Sequence, residues 1–243
     1  MSNGIIYCAV GDKFVKMAAR SAETVRETTP GAQITLVTDK ESAGGVFDEI
    51  ALVPPGPNRH VKTNIGVYSS YDSTLYLDCD TIVVSDLSPV FDFLQDFDLA
   101  VVLSQRSRLK YYPPNSLTVH GLTGEHPHFA SGVFGFSSRV VPDFFDFWLA
   151  AYKRTQHVVT FDQLSFSATI LRAMKQGRTV MPLPSVWNVR PLWGDSVCAD
   201  VKVFHTPQMD QDLSLQAYLS NRETLDNPKG APRWVKHGKR TVR

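Results

Sequence analysis

Residues 4–38 read GIIYCAVGDKFVKMAARSAETVRETTPGAQITLVT, and their order decides the fold class. Gly4–Val10 is an unbroken apolar run of strand length. Asp12–Thr28 then spaces Phe14, Met17, Ala18 and Val25 along one helical face, and Gln33–Thr38 returns to a strand pattern. Strand, helix, strand predicts a βαβ unit. Outward from it, Asp48–Val53 predicts another short strand, closed by Pro54, Pro55 and Pro57, and Lys62–Tyr71 a short helix. Thr74–Leu77 is a buried-strand run that stops at Asp78-Cys79-Asp80. Phe97–Leu103 and Gly132–Phe136 predict further strands, and Val141–Lys153 and Phe161–Gln176 predict helices. Such alternation predicts an α/β fold, a mainly parallel central sheet with helices on both faces. Ser104–Ala130 shows no periodicity and carries Pro113, Pro114, Gly121, Gly124 and Pro127, so it is expected to be a long lid or binding loop.

The chain has 243 residues, 43% hydrophobic and 20% charged, with no apolar window long enough for a spanning helix and no internal repeat. One domain over 1–226 and a basic tail over 227–243 are expected. Lys229–Arg243 holds six bases and no acid, while the rest carries 19 bases against 24 acids. Basic character is therefore local. It argues against a nucleic-acid footprint and leaves the tail as a solvated end or a contact for phosphates and anionic membrane surfaces. Met1–Val10 lacks a basic signal-peptide start, and Cys8, Cys79 and Cys198 have neither disulfide nor zinc spacing, so a reducing, cytoplasmic setting is expected.

Three Asp-x-Asp patterns occur, at Asp78/Asp80, Asp96/Asp98 and Asp210/Asp212. Only Asp78 and Asp80 follow a buried strand directly, at the carboxyl edge where open α/β sheets bind ligands. Like charges there are relieved by a divalent cation, and hard oxygen ligands favour Mg²⁺ or Mn²⁺. His205, after the apolar run Val201–Phe204, would add a nitrogen that favours Mn²⁺; by spacing alone it is more readily a core histidine, since nothing brings residue 205 beside residue 80.

Together these segments resemble the family 8 nucleotide-sugar transferases, the glycogenin-like and bacterial galactosyltransferase-like enzymes of GT-A fold. Ile5–Asp12 is similar to the family's first strand and uridine-contacting turn, with Val10 and Asp12 implied as donor contacts. Leu75-Tyr76-Leu77-Asp78-Cys79-Asp80-Thr81 resembles its metal motif. Lys62 stands sixteen positions before Asp78, as the family's active-site lysine does. Phe129–Phe134 is similar to the Asn-Ser-Gly strand, implying donor contacts at Ser131 and Gly132. Asp162-Gln163 resembles the Asp-Gln pair implied in catalysis, and His205 falls at the third metal ligand. Two departures stand out: the family's asparagine before Ser-Gly is Ala130, and Thr206–Asp210 lacks the glycine and lysine that grip the diphosphate.

The resemblance implies a metal-dependent, retaining glycosyltransferase that moves a sugar from a UDP donor to a glycan or other hydroxyl acceptor, with Mn²⁺ or Mg²⁺ as cofactor. A helix cap is the bland alternative for Asp162. Trp187 and Trp193, with Asn188 and Arg190 between them, form an aromatic loop for sugar stacking or core packing, and Tyr111 and Tyr112 suit an acceptor. Two rival functions remain: a sugar-phosphate nucleotidyltransferase, disfavoured because no glycine-rich basic phosphate loop is present, and a catalytically weak or silent nucleotide-sugar binding protein, which the departures keep open.

Overall fold

The computed structural model describes residues 1–41, 44–190 and 200–205, with backbone only at 105–107. Seven strands form one sheet in the order β3-β2-β1-β4-β7-β6-β8. They are β1 (Asn3–Cys8), β2 (Gln33–Thr38), β3 (Glu49–Leu52), β4 (Ser73–Leu77), β6 (Leu99–Arg108), β7 (Pro127–Ser137) and β8 (Val180–Leu183). Neighbours run parallel except at β7, which is antiparallel to both β4 and β6.

Period-2 alternation sorts β1 onto two cores. Ile5, Tyr7 and Ala9 pack with Val15, Ala18, Ala22 and Val25 of α1 (Asp12–Thr28) and with Val90 and Leu94 of α3 (Pro89–Asp96). Ile6, Cys8 and Val10 face Phe145 and Trp148 of α5 (Val141–Thr155) and Phe166 and Ile170 of α6 (Gln163–Lys175). Gly11 joins β1 to α1 at φ 94°, a conformation that suits glycine. On the second face Phe134 stacks on Tyr76 and meets Trp148 and Phe166, a rigid aromatic floor beneath the ends of β4 and β7.

A second, two-stranded sheet pairs β5 (Thr81–Val83) antiparallel with β9 (Val203–His205), in the register Thr81↔His205. Ser21 Oγ and Thr24 Oγ1 of α1 anchor β5, at 2.8 Å from Thr81 Oγ1 and 3.0 Å from the Val83 N–H.

The structure corrects two expectations. Ser104–Ala130 is not one loop: β6 continues to Arg108 and β7 starts at Pro127. At the tip, around α4 (Pro114–Thr118), Leu109, Leu117 and Leu122 pack on Val159, Leu164 and Ala168. Register shifts after Val101 and Leu103 break the period-2 pattern that would have revealed the strands. The helix expected over Lys62–Tyr71 is instead α2 (Asn58–Lys62), starting right after Pro57, followed by a separate 3-10 turn at Ile65–Tyr68. Of the two readings of Trp187, sugar stacking or core packing, the structure selects the core: it is 2% exposed. Trp193, Cys198, Asp210/Asp212 and the basic tail lie outside the described residues. Among the described residues no helix is long and apolar enough to cross a membrane.

Candidate active site

β4 delivers Asp78 and Asp80 to the carboxyl edge of the sheet. The Asp78 N–H donates to the Gly132 carbonyl at 2.8 Å, extending the β4–β7 ladder one residue past the strand, and Thr81 Oγ1 donates to the Asp78 carbonyl at 2.8 Å, holding the turn. The β5–β9 pairing brings up His205, the last residue of β9. Its Nε2 lies 3.1 Å from Asp80 Oδ1 and 3.5 Å from Asp78 Oδ2, and one ligand atom from each of the three residues lies within 4.8 Å of the others.

Each of two ligands is oriented by a neighbour. His205 Nδ1 is 2.9 Å from Asn188 Oδ1; with that oxygen as acceptor, Nδ1 carries the proton and Nε2 is the atom turned to the carboxylates. Asp78 Oδ1 accepts from the Tyr76 hydroxyl at 2.6 Å and from Lys62 Nζ at 2.8 Å, so Oδ2 is the oxygen presented to His205. Burial works against charge on both Asp80 and His205. Their mutual attraction outweighs it, holding the Asp80 carboxyl below the usual range and raising the His205 imidazole.

Lys62, buried at the end of α2, bridges two carboxylates: Asp78, and Asp162 Oδ2 at 3.1 Å. Burial disfavours its charge, but Asp162 and then Asp78 more than offset this and raise the ammonium above its ordinary value. Asp162 sits at the N-cap position of α6, yet its side chain makes no capping bond. The helix-cap alternative is therefore corrected: the carboxylate turns to Lys62. Gln163 is the first residue of α6, and its Nε2 is buried without a hydrogen-bond partner among the described residues.

These groups line one cleft of about 600 Å³, with Ser131 and Gly132 on its wall. Gly132 has a steric role that the sequence did not reveal: a Cβ there would lie 2.5 Å from His205 Nδ1 and 2.9 Å from Asp78 Oδ2. Tyr111 and Tyr112 stand at the cleft, the latter 3.2 Å from His128 Nε2 through its hydroxyl. Val10 and Asp12 are not on the cleft wall. The Val10 N–H donates to Asn58 Oδ1 at 3.0 Å, and exposed Asp12 pairs with Lys40 at 3.1 Å; Cys8, Asn58 and Phe14 line the cleft instead. Sequence reading passed over Asn58, Arg59 and Phe161, and read Asn188 and Arg190 only as parts of an aromatic loop. No local signal marks them, since each reaches the cleft through tertiary packing.

The donor set suits a divalent cation: two carboxylates, an imidazole with its proton held on the far nitrogen, and a glycine that leaves the ligands room. Asp98, in a rival Asp-x-Asp pattern, is spent on structure, accepting from Arg139 Nε and the Thr179 N–H at 3.0 Å each.

No protein-family model and no curated protein matches the chain. Solved structures do. A galactosyltransferase, LgtC, in complex with donor and acceptor sugar analogues is similar over 84% of this chain and 87% of that one, with a TM-score of 0.61 and 17% identity. An active-site mutant of LgtC is similar over 85% and 88%, with a TM-score of 0.61 and 16% identity. At this identity the likeness shows the fold alone: the chain has a GT-A fold, like that of the galactosyltransferase LgtC.

Proposed function

We propose that the protein is a metal-dependent, retaining glycosyltransferase that transfers a sugar from a nucleoside diphosphate donor, UDP by resemblance, to a hydroxyl of a glycan acceptor. One observation carries this reading: Asp78, Asp80 and His205 converge at the carboxyl edge of the sheet, in the same cleft as the Lys62–Asp162 pair. Such a donor set would hold Mn²⁺ or Mg²⁺, which as a Lewis acid would stabilise the negative charge growing on the departing diphosphate.

The chain's own residues supply the rest. Tyr76 and Lys62 fix Asp78, and Asn188 fixes His205, so the ligands need not reorganise when donor binds. Gln163, on the cleft wall as the first residue of α6, would offer the oxygen end of its amide dipole to the positive charge that develops at the anomeric carbon. Asp162, held by Lys62, adds negative potential at the same end of α6 without being placed as a free nucleophile. Tyr111 and Tyr112, with exposed Phe161, give the mouth apolar faces on which an acceptor sugar can stack.

The test is thermal melting against a panel of nucleotides and nucleotide sugars, with and without Mn²⁺. At ligand concentrations of about 100 Kd, binding raises stability by about 2.7 kcal/mol. The reading expects a stabilisation by at least one nucleoside diphosphate sugar that disappears in EDTA. A silent binding protein would show the same shift but no turnover, and a nucleotidyltransferase would exchange pyrophosphate.

A further inference from the structure

A departing nucleoside diphosphate brings more negative charge than one divalent cation neutralises, and the cleft already holds three carboxylates, Asp78, Asp80 and Asp162. Lys62 is within 3.1 Å of two of them. Arg59 lies with its guanidinium 5.0 Å from the centre of the Phe161 ring. Residues 206–210 contain no base.

Arg190 is placed by the ligand strand. The segment before it is tied to the ligand strand by three bonds: Val189 N–H to Val203 O at 2.9 Å, His205 N–H to Val189 O at 2.7 Å, and His205 Nδ1 to Asn188 Oδ1 at 2.9 Å. Arg190 therefore leaves the backbone at the edge of the Asp78/Asp80/His205 set. Its side chain lines the same cleft, and Nη2 donates to Ser104 Oγ of β6 at 3.1 Å. Ser104 is buried, so this contact fixes one arm of the fork against the sheet. A planar fork of donors matches phosphate oxygens in pairs, and a fork already oriented loses less entropy on binding them.

We propose that Arg190 is a diphosphate-binding residue, the fixed cation that receives the phosphate oxygens of the nucleoside diphosphate beside the metal-ligand set. The inference rests on the donor reading given above and adds the residue that holds the donor's charged centre.

Titration calorimetry in saturating Mn²⁺ with UDP, UMP and uridine tests it on wild type, Arg190→Gln and Arg190→Lys, and spectroscopic Mn²⁺ titration of each protein serves as control. Arg190→Gln should weaken UDP by about 10–100-fold, the scale of one hydrogen-bonded charge contact, and leave uridine and Mn²⁺ affinity in place. Arg190→Lys should recover part of the loss. Unchanged UDP affinity, or equal losses for UDP and uridine, would overturn the assignment. A loss seen with a UDP-sugar but not with UDP would overturn it too, moving Arg190 to the sugar. These outcomes presuppose a wild type that binds UDP with Mn²⁺; a wild type that binds none overturns the donor reading itself and this inference with it.

Discussion

Gly132→Ala adds a single methyl group at the centre of the proposed metal site. The backbone there is ordinary extended strand with no positive φ, so alanine meets no conformational penalty. What it meets are the ligands. The new Cβ would lie 2.5 Å from His205 Nδ1, against about 3.5 Å for comfortable contact, so the imidazole must retreat by about 1 Å. That retreat strains the 2.9 Å contact to Asn188 and draws Nε2 from its position 3.1 Å from Asp80, while Asp78 Oδ2 is crowded at 2.9 Å. Metal ligation tolerates displacements of about 0.2 Å, so the site should lose one ligand outright. Overpacking costs about 1–3 kcal/mol in fold stability, and in a chain of this size each kcal/mol lowers Tm by about 2–4 °C. Electron paramagnetic resonance of free Mn²⁺ and melting in EDTA read the two effects separately. We expect Mn²⁺ affinity to fall by at least about tenfold, with a cooperative but lowered melt. A Gly132→Ala protein with wild-type Mn²⁺ affinity would refute the ligand geometry.

Asp80→Asn should keep the fold and abolish metal-dependent donor binding, as read by melting with UDP and Mn²⁺. Lys62→Met leaves buried Asp162 and half-buried Asp78 without their shared cation, so it should destabilise the fold by about 3 kcal/mol in urea as well as slow turnover about 10²-fold; an unchanged urea midpoint would place the ammonium in solvent. Asn188→Leu should weaken Mn²⁺ about 10–100-fold by releasing His205, and Asn188→Asp, which keeps the acceptor, should restore most of that; equal losses in both would count against orientation as the cause. Gln163→Ala should lower kcat about 10²–10³-fold with Mn²⁺ affinity unchanged, and a kcat near wild type would remove the amide from the reaction.

Sequence periodicity located β1, α1, β2 and β4 to within a residue or two, because each buries a regular face in local register. Asp78 and Asp80 were legible for the same reason: a strand that stops at two acids announces a sheet edge. The β6–β7 hairpin was not, since its register shifts erase alternation just where Pro113 and Pro114 invite a loop reading. Its strand-end position made His205 a candidate, but only the resemblance set it above a core histidine. Its position depends on the pairing of three-residue β5 with three-residue β9, a contact too short and too distant in sequence to leave a pattern. Asn188, Arg190 and the steric role of Gly132 follow from that pairing and were hidden with it. Asp162 shows the converse: its sequence position fits a helix cap, but the carboxylate is drawn to Lys62, because a buried ammonium between two acids outweighs one exposed-end capping bond.

The central claim, metal-dependent cleavage of a nucleotide sugar with retention, is tested most directly by proton NMR of the protein incubated with a UDP-sugar panel. Samples would contain Mn²⁺ or EDTA, beside Asp80→Asn. The account predicts UDP release from at least one donor in Mn²⁺ only, with the transferred or first-released sugar in the donor's anomeric configuration and no reaction by Asp80→Asn. Cleavage that persists in EDTA or in the Asp80→Asn protein, an inverted product, or no cleavage of any donor would contradict it.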